Sequence, residues 1–527
     1  MASPAELVER REGCQFMRIV LASSEAVPFS KTGGLADVAA ALPKALGQIG
    51  HEVSLITPHY PRMISKGGEQ APPIEPTGIS LRVMVGSKQV EGRILRSTLP
   101  GSKVTVYLID QPGYFDRAGL YVEHDQDYRD NSERFIFFSR AVMEAIRLLN
   151  LRPDIVHAND WQTGLVPALV NIEYRGTPGF EQTASVFTIH NMAFQGQFWH
   201  WDMLLTGLDW KYFNWKQMEC YGHLNLLKTG ITFADLVTTV SPTYAREIRT
   251  PEFGCGLNGA LTSRQADLVG ILNGVDTEVW NPQTDTKIVK TYSASTLNAG
   301  KAACKAAVQE RLGLPKNPSV LLLGSISRMT HQKGFQLVEQ CASMLLDQDI
   351  QLIFLGSGEP RFEGLLQDLA RQKPDKVATT IGYDEELSHQ IEAGADAFLM
   401  PSEFEPCGLN QMYSLIYGTV PIVRAVGGLA DSVVDATDEN VEKGIANGFS
   451  FREFRSDVLF WNICRARSMF SDPQKWNRLQ QVGMKQDWSW KSSANEYVRV
   501  YDRALAKRTA PVGIGAGASN HDNSPQN

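Results

Sequence analysis

The chain has 527 residues, 43% of them hydrophobic and 21% charged, which suits a globular protein of two to four domains. Its 51 basic and 58 acidic side chains leave a net charge of −7, which excludes a nucleic-acid binder carried by bulk charge while permitting local basic pockets. No apolar run approaches the roughly 20 residues needed to span a bilayer, Met1–Phe16 lacks the apolar core of a signal peptide, and seven cysteines without pairs at metal spacing fit reduced thiols in a cytoplasmic protein.

In chain order, residues 1–16 read as a loose lead-in. Arg18–Ala22 is a short apolar run of the kind that forms a buried strand, and 38–46 reads as a helix. Between them, Ser24–Val38 forms a strand-to-helix turn carrying Lys31 and the pair Gly33-Gly34. Glycines there let a backbone approach a ligand, free N–H groups at a helix start attract anions, and Lys31 adds a mobile cation. Further strands are expected at 53–57, 103–109, 154–157, 185–190 and 236–241. A helix is expected over 129–149, with one apolar stripe at 135, 138, 142, 145 and 148. Ile271–Asp276 and Trp280-Asn281-Pro282 read as a domain exit, and the polar, lysine-rich 283–317 as a connector. The alternation restarts with strands at 320–326, 350–358, 395–401 and 419–423, separated by helices near 335–347, 360–372, 384–393 and 409–417. A final amphipathic helix is expected over 495–506, and the Gly-, Ser- and Asn-rich 509–527 reads as a disordered tail.

Strands alternating with helices imply an α/β fold of two doubly wound, Rossmann-like domains facing each other, with ligands at the carboxyl ends of the strands. The expected boundaries are 17–282 for the first domain, 283–487 for the second and 488–508 for a closing helix. A second copy of the glycine motif, Val426-Gly427-Gly428-Leu429-Ala430-Asp431, suggests that each domain points a glycine turn at one cleft.

The motifs that carry chemistry all follow predicted strands. Arg328 and Lys333, five apart on one strand-end loop, can grip a diphosphate, Arg as a planar fork and Lys as a point charge. Glu405 precedes Cys407 and Gly408 at the start of a helix, where a carboxylate can accept hydrogen bonds from hydroxyls. His157-Ala158-Asn159-Asp160-Trp161 and His190-Asn191 end two strands of the first half and make a polar pocket there. No Asp-x-Asp pair suggests a divalent ion, so no metal site and no cofactor are expected, and cations and helix ends would neutralise a diphosphate. Trp199, Trp201, Trp210 and Trp215 are expected to pack in the core rather than to stand on the surface.

Taken together, Lys31-Thr32-Gly33-Gly34-Leu35-Ala36-Asp37-Val38, His157–Trp161, His190-Asn191, Asn273-Gly274-Val275-Asp276, Ser327-Arg328 with Gln332-Lys333-Gly334, and Phe404–Leu409 resemble the bacterial glycogen synthases and plant starch synthases, in order from about Met17 to about Leu505. The resemblance implies a GT-B type fold whose C-terminal helix crosses back onto the first domain. It also implies transfer of glucose from ADP-glucose to the non-reducing 4-hydroxyl of an α-1,4-glucan, with retention. Carried onto this chain, it implies that Lys31 and the Gly34 backbone meet the donor's phosphate and sugar, and that Arg328 and Lys333 stabilise the departing diphosphate. Glu405, with the backbone at Cys407 and Gly408, would hold the glucose hydroxyls. His190 would contact the 6-hydroxyl, Asp160 would lie near the reacting centre, and Asn273, Glu25, His157 and Asn191 would line the cleft or its acceptor side.

Many retaining transferases of this fold place a second acid eight residues after the first. Here that position is Tyr413, as in the glycogen synthase group, and Asn410 stands where Thr is common. The readings left open are a starch synthase or a UDP-glucose-dependent glucan synthase, a pyridoxal-phosphate-dependent glucan phosphorylase, and a non-catalytic glucan binder.

Overall fold

The computed structural model describes residues 16–64, 72–124 and 126–509. All but Phe16 of the expected lead-in and all but Thr509 of the expected tail lie outside the described residues.

Two large sheets organise the chain. The first has nine strands, running edge to edge as Leu268–Gly270, Leu236–Thr239, Ala184–Ile189, Ile155–Asn159, Arg18–Ala22, Glu52–Pro58, Thr105–Asp110, Lys88–Thr98 and Glu75–Val85. It is parallel except at the last two strands, which form an antiparallel hairpin on its edge. The second has six parallel strands, in the order Val377–Ile381, Ile350–Gly356, Leu321–Ile326, Ala397–Met400, Val420–Arg424 and Phe449–Phe451. The central strands are buried on both faces, which is why they read as unbroken apolar runs. Residues alternate between two cores. In Arg18–Ala22, Val20 and Ala22 join the core under the helix Asn131–Leu148. Ile19 and Leu21 join the one under Gly34–Gln48 and Trp490–Thr509. Among the described residues no helix is long and apolar enough to cross a membrane.

Most expected elements are present within a few residues, and the differences have physical causes. The helix after the Gly33-Gly34 turn begins at Gly34, not at 38. The segment expected as a connector contains the helix Leu297–Arg311. Its lysines point inward. Lys301 Nζ donates to the Ala395 carbonyl at 2.5 Å, and Lys305 Nζ bonds Asp396 at 2.6 Å and the Val320 carbonyl at 2.6 Å. Burial lowers the Lys301 ammonium to about 8. Ammonium groups that satisfy strand-end carbonyls and a buried carboxylate make an interior face look like a solvated one in sequence. The tryptophans differ in the opposite sense. Trp199, Trp201, Trp210 and Trp215 are exposed rather than packed in the core. The edge hairpin Glu75–Val85 and Lys88–Thr98 lies outside the expected elements, although each strand alternates buried and exposed residues as a half-buried strand does.

The last helix starts at Trp490, five residues before its expected position, and returns to the first sheet. The backbone N–H of Val275 donates to the Trp488 carbonyl at 2.7 Å, tying the entry of this helix to the end of the first sheet's segment. Trp490, Ala494, Tyr497, Val498, Tyr501 and Ala504 then pack into the core beneath Leu21 and Leu55. Here the sequence reading of His157 needs correction. It is fully buried and lines no cleft. Its Nδ1 pairs with the Tyr501 hydroxyl at 2.9 Å and its Nε2 with Thr188 Oγ1 at 2.5 Å. Burial depresses its pKa to about 3, so the ring is neutral and structural. Tyr501→Phe, which strands Nδ1 in the core, is expected to cost about 1–3 kcal/mol, and Tyr501→Ala about 3–5 kcal/mol through the added cavity. Denaturant unfolding reads both, and unchanged midpoints would show that the helix is not held through this residue.

Candidate active site

The carboxyl ends of both sheets open onto one cleft of about 1060 Å³. From the first half it takes Asp160 and His190, which directly follow the strands Ile155–Asn159 and Ala184–Ile189, together with Asn191 and Asn273. From the second half it takes Arg328 and Lys333, after Leu321–Ile326, and Glu405, Cys407 and Gly408, after Ala397–Met400. This is where open parallel sheets place their ligands, because loops fan out there around free backbone groups.

The turn after the first strand forms one wall. Glu25 is almost wholly buried and holds it in shape. Its carboxylate accepts from the Thr32 N–H, from Thr32 Oγ1 at 3.0 Å, from the Gly33 N–H at 3.3 Å and from the Tyr121 hydroxyl at 3.2 Å. Burial raises the Glu25 pKa against these bonds. Gly33 and Gly34 have ordinary negative φ, and a side chain at either would meet nothing within 4 Å. Neither the backbone nor the packing requires glycine there, so the room they leave opens to the cleft they line. Lys31 stands outside the lining. Its ammonium is exposed and paired with Asp37 at 2.7 Å, at the rim of the same turn.

Asp160 forms the floor of the first half. It has a left-handed φ of 57°, rare for a non-glycine residue and a strain of about 1–3 kcal/mol. Its Oδ1 accepts from the His190 N–H at 2.7 Å, and its own N–H donates to the Thr188 carbonyl at 2.9 Å. Burial, with Glu25 nearby as a lesser cause, raises the carboxyl to about 7, opposed by the His190 N–H. The His190 Nε2 pairs with Asn159 Oδ1 at 3.0 Å, and burial lowers its pKa to about 3, so the ring is neutral. Asn273 presents a buried Oδ1 with no partner.

Across the cleft, Lys333 Nζ pairs with Glu405 Oε2 at 2.6 Å, and the Ser402 hydroxyl donates to the same oxygen at 3.0 Å. Arg328 is exposed and reaches Gln332 Oε1 at 3.2 Å, so its guanidinium keeps most of its donors. Among the described residues no group of three or more His, Cys, Asp or Glu side chains could hold a metal ion. The helix expected to begin beside Gly408 runs Asn410–Ile416.

The second glycine motif does not face this cleft. Gly427 N–H donates to Glu247 at 3.1 Å, and Asp431 accepts from Ser241 Oγ at 2.6 Å and the Thr243 N–H at 2.8 Å, so this stretch bridges the two halves beside the cleft. A side chain at Gly427 would sit 1.9 Å from the Glu405 carbonyl, and one at Gly428 2.0 Å from that of Cys407. The motif supports the Glu405 loop from behind. Three wall residues carried no signal in sequence. Tyr121 lies in a motif-free loop, Gln162 follows Asp160-Trp161, and Phe198 follows the Gln195-Gly196 turn.

Identical motifs thus have opposite physical reasons for their glycines, which is testable. Gly33→Ala is expected to leave the melting temperature within about 2 °C, as for a surface change, whereas Gly428→Ala is expected to destabilise by about 1–3 kcal/mol through overpacking. Calorimetry on both variants checks this, and equal losses would contradict it.

Comparison with known proteins gives the chain's relatives. Residues 18–263 match the family described as "Starch synthase catalytic domain", and 308–461 match "Glycosyl transferases group 1". The glycogen synthase of Rhodopirellula baltica is 44% identical over 502 residues, covering 93% of this chain and 98% of the relative. That of Anaeromyxobacter sp. strain Fw109-5 is 46% identical over 491 residues, covering 93% of this chain and all of the relative. The catalytic domain of starch synthase IV from Arabidopsis thaliana, bound to ADP and acarbose, superimposes with a TM-score of 0.85 at 34% identity, over 93% of this chain and the whole of that one. Matched along almost their entire lengths, these proteins show that the chain belongs to the glycogen and starch synthase family of glycosyltransferases.

Proposed function

We propose that the chain elongates glycogen by moving glucose from ADP-glucose to the non-reducing 4-hydroxyl of an α-1,4-glucan, with retention, in the cytoplasm. The observation that carries this reading is the division of charge across one cleft. The cations Arg328 and Lys333 lie on one side, and the acid Asp160 with the open Gly33-Gly34 turn lies on the other. Breaking the bond between glucose C1 and the phosphate oxygen builds negative charge on the diphosphate and positive charge on the sugar. Arg328 and Lys333 stabilise the first, and carboxylates near C1 stabilise the second. The acceptor O4 attacks from the face the diphosphate leaves, a new C1–O4 bond replaces the old one, and the O4 proton passes to the departing phosphate oxygen.

The Lys333–Glu405 pair is the rest state of the donor site. On binding, the phosphate takes the ammonium, Glu405 turns to the glucose hydroxyls beside Cys407 and Gly408, and the Gly34 backbone closes on the sugar and phosphate. His190, neutral at all working pH values, presents an uncharged ring to the 6-hydroxyl. Asn191 and Asn273 line the same space, and Lys31 joins only by leaving Asp37. The ADP recorded on the Arabidopsis relative supports the choice of nucleotide. The free thiols of the described cysteines support the compartment.

Three outcomes check the reading. Glycogen with ADP-glucose should release ADP, and UDP-glucose should release much less UDP. A reversed preference keeps the mechanism and overturns the donor. Arg328→Ala and Lys333→Ala should each lower kcat by about 100-fold or more through lost electrostatic stabilisation, and near-normal turnover in both would contradict the assignment. The folded enzyme holds Asp160 neutral more readily than the unfolded chain does, so its stabilising share fades as pH rises from about 4 to about 7. The catalytically useful form is the ionised one, so kcat/KM should climb through a pKa near 7. Asp160→Asn should abolish that limb in the residual rate, and its persistence would assign the titration elsewhere.

A further inference from the structure

The two cations of the cleft are held in different ways. Lys333 Nζ meets a carboxylate, Glu405 Oε2, at 2.6 Å. Among the described residues, the one side-chain partner of the Arg328 guanidinium is a neutral amide, Gln332 Oε1 at 3.2 Å. Gln332 also lines the cleft. A dipole can aim a guanidinium without cancelling its charge, whereas a carboxylate would hold it in a pair that an arriving anion must break.

The amide is itself oriented by the neighbouring loop. Its Nε2 donates to the carbonyl of Phe404, the residue before Glu405, at 3.3 Å. A glutamine amide carries its donors on one atom and its acceptor on the other. The end that meets the Phe404 carbonyl is therefore the NH2, and the end that meets Arg328 is the oxygen.

Neither loop depends on this side chain for its course. The Glu403 N–H donates to the main-chain carbonyl of Gln332 at 2.8 Å, a bond that any residue at 332 keeps, and Gly427 packs behind Glu405. On the other flank the Met329 N–H donates to the Ser357 carbonyl at 2.9 Å. The His331 N–H and Nδ1 both pair with the Glu359 carboxylate at 3.0 Å. With the backbone fixed on both flanks, what the Gln332 amide sets is the direction of the long Arg328 side chain.

We propose that Gln332 is a positioning residue that aims Arg328 at the departing diphosphate and, through Phe404, ties that aim to the loop bearing Glu405. This rests on the reading above that Arg328 stabilises the diphosphate. The amide narrows the rotamers open to an exposed arginine before the donor arrives, so less freedom is lost on the way to the transition state. Lys333 needs no such aid, because Glu405 and burial already confine it.

The test compares Gln332→Met, which keeps the length and removes both polar ends, with Arg328→Ala and with the double variant, all in the full chain. Gln332→Met should lower kcat with ADP-glucose and glycogen by about 10-fold or more, the scale of a misaligned group, and should change KM for ADP-glucose by less than about 2-fold. In the Arg328→Ala background the same substitution should change kcat by less than about 2-fold, because no guanidinium is left to aim. A role confined to the stability of the loop would slow both backgrounds equally. That result, or parental turnover in Gln332→Met, would overturn the proposal. Crystal structures of the parent and of Gln332→Met without donor supply a readout that needs no turnover. The Arg328 side chain should hold one position in the parent and leave it in the variant, with the backbone of 401–410 unmoved, and an unchanged Arg328 would overturn the proposal. If Arg328→Ala turns over normally while the crystal structures show the guanidinium displaced in Gln332→Met, the positioning stands and the assignment of Arg328 to the diphosphate fails.

Discussion

The cleft turns on the pairing of Lys333 with Glu405. Both groups are largely withdrawn from water, and each alone would carry a heavy desolvation cost. Together, with the Ser402 hydroxyl as third partner, they satisfy one another across the two loops. On the proposed reading, a sugar diphosphate replaces each partner for the other, phosphate for the ammonium and hydroxyl donors for the carboxylate. The parts that position the two loops serve this pair. Gly427 and Gly428 leave room for the backbone of Glu405 and Cys407, and Asp431 and Glu247 fasten that support to the first half.

The opposite wall is built on a different principle. Glu25 and Asp160 are acids pushed upward by burial rather than paired with cations. Glu25 spends its oxygens on the Thr32-Gly33 turn and so acts as a positioning group. Asp160, at a strained φ, is tied to His190 and Thr188 and lines the cleft. On the proposed reading, Arg328 and Lys333 on one side and Asp160 on the other follow the charge separated when a glycosyl phosphate bond breaks.

Much of this was legible in the sequence because functional groups of parallel α/β sheets follow the strands. Asp160, His190, Arg328, Lys333 and Glu405 each come just after an apolar run, and the structure gathers them. The failures occur where one residue type serves two environments. His157 lies inside its strand, not after it, so it points into the core and meets Tyr501. Lys301 and Lys305 read as solvated yet donate to buried carbonyls, and Lys305 pairs with Asp396. Gly427-Gly428 repeats Gly33-Gly34 letter for letter, but only close contacts distinguish a glycine that admits a ligand from one that admits a neighbouring backbone. Tryptophans are read as core by default, and only the fold shows that four of them stand in water at the end of one excursion.

The most direct measurement is a structure of the protein with intact ADP-glucose bound. The account predicts Lys333 Nζ on the diphosphate and separated from Glu405, the Glu405 carboxylate on the glucose hydroxyls, and the Gly33-Gly34 turn against the sugar and phosphate. A donor seated in the cleft with the Lys333–Glu405 pair still closed, or with its diphosphate directed at Asp160 rather than at Arg328 and Lys333, would contradict it.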